Sequence, residues 1–185
     1  MNGDFEILDA ESLRQDPILI RIAKNILPVV IAITIALILR AYIVEPIKVS
    51  GSSMDSTYHD GQYVILEKVS YWFRTPQRGD VVVCHYPDQY YTNSGRKADS
   101  WCVKRVIGIS GDTLQTIDGV VYLNGEPLDE PYLDDGTYTS GITDEVIVPE
   151  GHVFVMGDNR FVSADSREIN VGPIPYSNVR GKLMW

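Results

Sequence analysis

The chain is poor in the residues that build metal centres and redox pairs, with two cysteines and three histidines among its 185 residues. No CxxC or HExxH spacing occurs, which leaves little material for a structural zinc site or a zinc protease. Positive charge is scarce as well, 16 Lys and Arg against 25 Asp and Glu, for a formal charge of −9. A surface of that sign argues against nucleic acid as a partner. Long apolar runs are missing with one exception, so a multi-span membrane protein is excluded. What is present, 44% hydrophobic and 22% charged residues, suits one folded domain with a short appendage rather than a disordered chain.

The one apolar run, ILPVVIAITIALIL over residues 26–39, carries no charge. It is short for a membrane span and would suit the apolar region of a cleaved secretion signal. No small-x-small cleavage site follows, because the chain continues Arg40-Ala41-Tyr42-Ile43-Val44. Arg40 is near enough to an end to snorkel, which extends the usable span to 26–44, about 28 Å at a rise of roughly 1.5 Å per residue. A buried core helix is the alternative, and the unbroken run favours an uncleaved anchor. Arg14, Arg21 and Lys24 precede it, against Arg40 and Lys48 after it, which favours an inside N-terminus. The expected organisation is a cytoplasmic tail over 1–25, a transmembrane anchor over 26–44 and an extracytoplasmic domain over 45–185.

Beyond Glu45 the pattern changes to short runs rich in β-branched residues, at 63–66, 81–83, 103–109, 120–123, 146–148 and 153–156. Turn signals separate them, among them Asp60-Gly61, Gly111-Asp112 and Glu150-Gly151. Asp118-Gly119 and Asn124-Gly125 bracket the run VVYL as hairpin turns would. No amphipathic helices alternate with these runs, so the fold class expected is mainly β: an antiparallel, partly closed β domain preceded by one N-terminal transmembrane helix. Residues 86–101 are polar and read as a loop between paired strands. Cys84 and Cys102 flank that loop and become cross-strand neighbours if the strands pair. An extracytoplasmic location then permits a disulfide.

Histidine is the usual base for a serine nucleophile, but His59, His85 and His152 have no nucleophile elbow near them and GxSxG is absent. They read as surface or strand-edge residues. Ser53 lies in the small-residue stretch Val49-Ser50-Gly51-Ser52-Ser53-Met54, where Gly51 allows close backbone approach and successive N–H groups could hold an oxyanion. Lys104 lies within Cys102-Val103-Lys104-Arg105-Val106, sharing one strand face with Cys102 and Val106. If that face is covered, desolvation disfavours its ammonium and leaves an amine able to activate a serine. If it lies at a sheet edge, Lys104 merely snorkels. A third cluster, Gly157-Asp158-Asn159-Arg160 through Ser163, Asp165 and Arg167, either stiffens a loop or orients a base.

Taken in order, the anchor, Ser53-Met54-Asp55-Ser56-Thr57, Arg78-Gly79-Asp80, Lys104-Arg105-Val106-Ile107-Gly108 and Gly157-Asp158-Asn159-Arg160 with Ser163-x-Asp165-Ser166-Arg167 resemble the bacterial type I signal peptidases of Gram-positive style. The resemblance implies a membrane-bound serine–lysine endopeptidase that removes signal peptides from exported preproteins at the outer face of the cytoplasmic membrane. It implies Ser53 as nucleophile, Lys104 as general base and the Ser53 N–H in the oxyanion hole. Ser163 matches the serine that fixes the lysine, and Asp158, Arg160, Asp165 and Arg167 match residues that brace the site. It implies small residues at −1 and −3 of the cleaved bond, the lipid bilayer as a partner, and no metal or organic cofactor. Three positions depart from the family pattern. Ser56 stands where the family has proline, and Val162 where asparagine is frequent. Gly51 replaces a serine that some relatives carry, so a second oxyanion donor falls to backbone or to Ser52.

Two other readings share these residues: a Ser/Lys peptidase acting on itself or one partner, and a membrane-tethered β binding module without catalysis. The anchor argues against the first, and the presence of both Ser53 and Lys104 against the second. Trp72 and Phe73, with Tyr71, are either interfacial aromatics or ordinary core residues.

Overall fold

The computed structural model describes residues 17–87, 90 and 101–184. Residues 1–16 of the expected tail, and most of the expected 86–101 loop, lie outside these. Two units are distinct, one ending at Ala41 and the other running from Tyr42 to Trp185.

The described residues of the first unit form a helix, α1 (Pro17–Tyr42). Within it Ile22–Arg40 is long and apolar enough to cross a bilayer, with a mean hydropathy of 2.4, and its side chains from 22 to 40 are exposed. Such a surface is unfavourable in water and suited to lipid. Val44, at the end of the apolar run, opens a strand instead of continuing the helix.

Among its described residues the second unit has eleven strands: β1 (Val44–Lys48), β2 (Tyr63–Glu67), β3 (Val81–His85), β4 (Trp101–Ile109), β5 (Thr113–Ile117), β6 (Val120–Leu123), β7 (Glu126–Pro127), β8 (Val146–Ile147), β9 (His152–Met156), β10 (Ile174–Pro175) and β11 (Val179–Met184), with the short helix α2 (Ser70–Phe73) after β2. Seven form a sheet in the order β1-β2-β11-β3-β4-β9-β10, and four a smaller sheet in the order β7-β6-β5-β8. Every pairing is antiparallel. The mainly β, antiparallel expectation is therefore met.

The Asp-Gly and Asn-Gly signals do what their chemistry allows. Asp118 and Gly119 have φ of 50° and 85°, Asn124 and Gly125 55° and 83°. Positive φ at both loop residues makes the two-residue turns whose twist matches the strands they join, β5 to β6 and β6 to β7.

Both faces of the large sheet are covered. Val82, Cys84, Val106, Val153 and Val155 share one cluster on one face. On the other face Val81 and Val83 join Met54, Tyr58 and Leu66, while Ile107, Phe154 and Met156 join Leu114 and Val121 of the small sheet. Alternation along β3, β4 and β9 thus feeds separate cores, and the middle of β4 is buried from both sides. Cys84 and Cys102 are register partners, as their flanking of the loop anticipated, and no disulfide joins them.

Candidate active site

Ser53 follows β1 in a tight turn spanning 50–58. Met54 is the turn's peg, buried in the core, and its carbonyl accepts from both Thr57 and Tyr58 N–H. Gly51, at a φ of 92°, takes a conformation open to glycine, and its N–H donates to Asp60 at 2.8 Å. These bonds hold Ser53, half-buried, facing the middle of β4.

Lys104 lies in the middle stretch of that strand, register partner of Val82 and only 3% exposed. Its Nζ donates to Ser53 Oγ at 2.7 Å, across 51 residues of sequence. Of the two readings open for Lys104, the covered one is what the structure has. The pair opens on a cleft of about 530 Å³ lined by Ser50, Gly51, Ser52 and Ser53 on one side and Trp101, Cys102 and Val103 on the other, with Val162 and Ala164 beside them. Gly51 and Ser52 therefore sit at the cleft with the nucleophile candidate, as the sequence suggested.

The third cluster closes the site from β9. Gly157 packs directly against Ser163 and the Ser53 carbonyl, leaving no room for a side chain. Asn159 N–H donates to that same carbonyl at 3.1 Å. The Ser163 hydroxyl lies 3.5 Å from the Ala164 carbonyl. Asp165, fully buried, accepts from Arg167 through both oxygens at 2.8 Å and from Gly157 N–H at 3.0 Å. Burial pushes the Asp165 carboxyl up, but Arg167, Gly157 N–H and Ser163 more than offset this and hold it below the ordinary carboxylate range.

Beneath the site runs a buried network that the sequence did not disclose. Asp158 takes a bidentate grip from Arg105 at 2.9 and 2.7 Å and accepts from the Thr57 hydroxyl at 2.5 Å. It thereby ties the turn carrying Ser53 to the strand carrying Lys104. The Tyr132 ring covers the Arg105 guanidinium at 3.9 Å. Arg160 pairs with Glu130 and donates to Thr139 and to the Gly157 carbonyl. Its burial would lower its pKa, but the Glu130 carboxylate raises it, so it stays charged. Arg105 and Thr57 carried a sequence signal in sitting beside Lys104 and in the Ser53 box. Glu130, Tyr132 and Thr139 carried none, since they arrive from the irregular segment between β7 and β8 of the small sheet.

The three histidines stay apart from the cleft lining. His59 is exposed and 3.5 Å from Asp55, His85 stacks edge-on to Trp101, and His152 contacts the Glu150 carbonyl. Among the described residues no three of His, Cys, Asp or Glu gather as a metal ion would require.

Known proteins are similar to this chain. Residues 22–185 match the family described as signal peptidase, peptidase S26. A signal peptidase I of Bacillus licheniformis is 38% identical over 83% of this chain and 81% of its own length. A probable signal peptidase I-1 of Synechocystis is 38% identical over 89% of this chain and 81% of its own. Among solved structures, a signal peptidase I of Enterococcus faecalis V583 is 28% identical, with a TM-score of 0.44 over 60% of this chain and 98% of that one.

Proposed function

The chain belongs to the signal peptidase family, peptidase S26, a family of serine peptidases that remove signal peptides, and on that premise we propose that Ser53 and Lys104 form its catalytic dyad. The observation that carries this reading is the 2.7 Å contact between Lys104 Nζ and Ser53 Oγ in a buried setting. Water no longer stabilises the ammonium there, which favours the neutral amine a general base requires. The amine takes the Ser53 proton as Oγ attacks the carbonyl carbon of the −1 residue. The developing oxyanion accepts from the Ser53 N–H, with Ser52 or a neighbouring backbone N–H as second donor. Lys104 then passes its proton to the leaving amine of the mature protein, and a water deprotonated by the same lysine hydrolyses the acyl-enzyme. Ser163 fixes the lysine, while Asp158, Arg160, Asp165 and Arg167 brace the two sides.

The preprotein lies along the cleft with small residues at −1 and −3, beside Cys102, Val103 and Ala164. The residues before Ile22 are the cytoplasmic tail, Ile22–Arg40 spans the bilayer, and the chain from Val44 onward is the extracytoplasmic catalytic domain, a topology supported by the apolar helix and its flanking charges.

The test is cleavage of a preprotein with alanine at −3 and −1, in detergent, by the native chain, Ser53→Ala and Lys104→Ala. Cutting after −1 by the native chain alone supports the dyad, as does a rate that rises with pH as the lysine deprotonates. Cutting by Ser53→Ala would mean another nucleophile.

A further inference from the structure

Away from the cleft, a groove of about 200 Å³ opens where the end of β2, α2 and the start of β11 meet. Its lining holds three cations, Lys68, Arg74 and Arg180, backed by two carboxylates, Glu45 and Asp80, which leaves one net positive charge in a chain whose net charge is −9. The three heads are fixed in place. Lys68 Nζ and Arg180 share one oxygen of Glu45, at 2.8 and 2.7 Å. Arg74 grips Asp80 at 2.8 and 3.2 Å and lies over the Tyr71 ring. Cations already ordered lose little entropy when an anion arrives.

The rim of this groove is apolar and aromatic. α2 buries none of its residues, and leaves Trp72 60% and Phe73 84% exposed. Two adjacent large aromatics in water mark a contact surface, and a Trp beside fixed cations matches the chemistry of the bilayer headgroup layer. The position in the chain agrees. Lys68 N–H donates to the carbonyl of Ile43, the first residue after α1, at 3.0 Å. Val44 pairs with Glu67, and Glu45 is the carboxylate that Lys68 and Arg180 share. The groove is thus built on the residues by which the chain leaves its apolar helix.

We infer that this groove binds the phosphate of an anionic membrane phospholipid, with Trp72 and Phe73 entering the boundary between headgroups and acyl chains. The phosphodiester carries one negative charge and strong acceptor oxygens, which Arg and Lys heads recognise. The inference rests on α1 as a membrane anchor and not on the catalytic assignment. It gives an acidic domain a local means of lying on an anionic surface.

The full chain is reconstituted in phosphatidylcholine bilayers containing phosphatidylglycerol, with brominated acyl chains carried on one lipid or the other, and tryptophan quenching is read. Quenching should be stronger from brominated phosphatidylglycerol, and that excess should vanish in Trp72→Phe. The preference should fall by up to about fivefold for each cation removed in Lys68→Gln and Arg180→Gln. The unmutated chain supplies a check that no folding defect can mimic: at about 1 M salt, where screening acts within about 3 Å, its preference should also fall. Equal quenching from both lipids would overturn the proposal, leaving only exposed aromatics. Inorganic phosphate added at constant ionic strength should compete for the groove and lower the preference, and a preference it leaves unchanged would overturn the proposal in favour of surface charge alone. None of these readouts uses cleavage, so failure here and failure of the dyad are separate results.

Discussion

Replacing Gly157 by alanine should disconnect Ser53 from Lys104, the proposed dyad, while leaving the domain folded. A Cβ at this position would stand 2.6 Å from the Ser163 Cβ, with the Ser53 carbonyl oxygen and the Ser163 hydroxyl nearer still. Ordinary carbon contact begins near 3.5 Å, so the Ser53 turn or the Ser163 loop must retreat by about 1 Å. The Ser53 carbonyl is also held by Asn159 N–H, from the residue two places after Gly157, so the turn shifts with that loop. A retreat of that size stretches the 2.7 Å contact between Lys104 and Ser53 past hydrogen-bond range. Misplacement on the order of 1 Å costs about 100-fold in rate, whereas overpacking a core costs about 1–3 kcal/mol of stability, a few degrees to roughly ten in midpoint. The assay is preprotein cleavage beside thermal unfolding. Activity within about threefold of the native chain would refute the reasoning. A second variant, Gly157→Ala with Ser163→Gly, relieves the hydroxyl but not the Ser53 carbonyl and should remain inactive.

Asp165→Asn should flatten the acid limb of stability. The folded carboxyl is held below the ordinary range, so its stabilisation is complete above the unfolded value of about 3.9 and is lost as pH falls through the folded one. A stability–pH curve that keeps its acid slope in the variant would refute this. Arg105→Met should cost about 3–5 kcal/mol, because it strands the Asp158 carboxylate in the core, and denaturant midpoints will measure it. Tyr132→Leu should cost about 2–3 kcal/mol, because it removes both the ring over Arg105 and the 2.6 Å hydrogen bond that the hydroxyl donates to Glu130. Ser56 has a φ of 90°, a region where only glycine is at ease, so Ser56→Gly should stabilise by up to about 1 kcal/mol. Ser56→Pro, whose φ is fixed near −65°, should instead displace the turn and lower cleavage.

The polar–apolar grammar of this chain made much of the domain readable. Runs such as VVYL between Asp-Gly and Asn-Gly declare strand and turn locally, and the turns close with the dihedrals those dipeptides favour. The missed strands are ones whose identity depends on their partners. β1 contains Pro46, β5 reads TLQTI, and β11 mixes Arg180, Gly181 and Lys182 with apolar residues. Each lacks the β-branched density of its neighbours and is a strand because Tyr63–Glu67, Val120–Leu123 or Val81–His85 lies beside it.

The site divides along the same line. The proposal that Ser53 and Lys104 carry the chemistry starts from the order of short boxes along the chain, and so does the bracing role expected of Asp165 and Arg167. Whether Lys104 snorkels or is covered depends on what packs over β4 from residues far away in sequence, and only the tertiary structure decided it. It also decided that Asp158 belongs to Arg105 and Thr57, and that Arg160 belongs to Glu130. The reason is physical: turn dihedrals and strand alternation are set within a few residues, whereas burial and charge pairing are set by sheet register between segments separated by 30 to 101 residues.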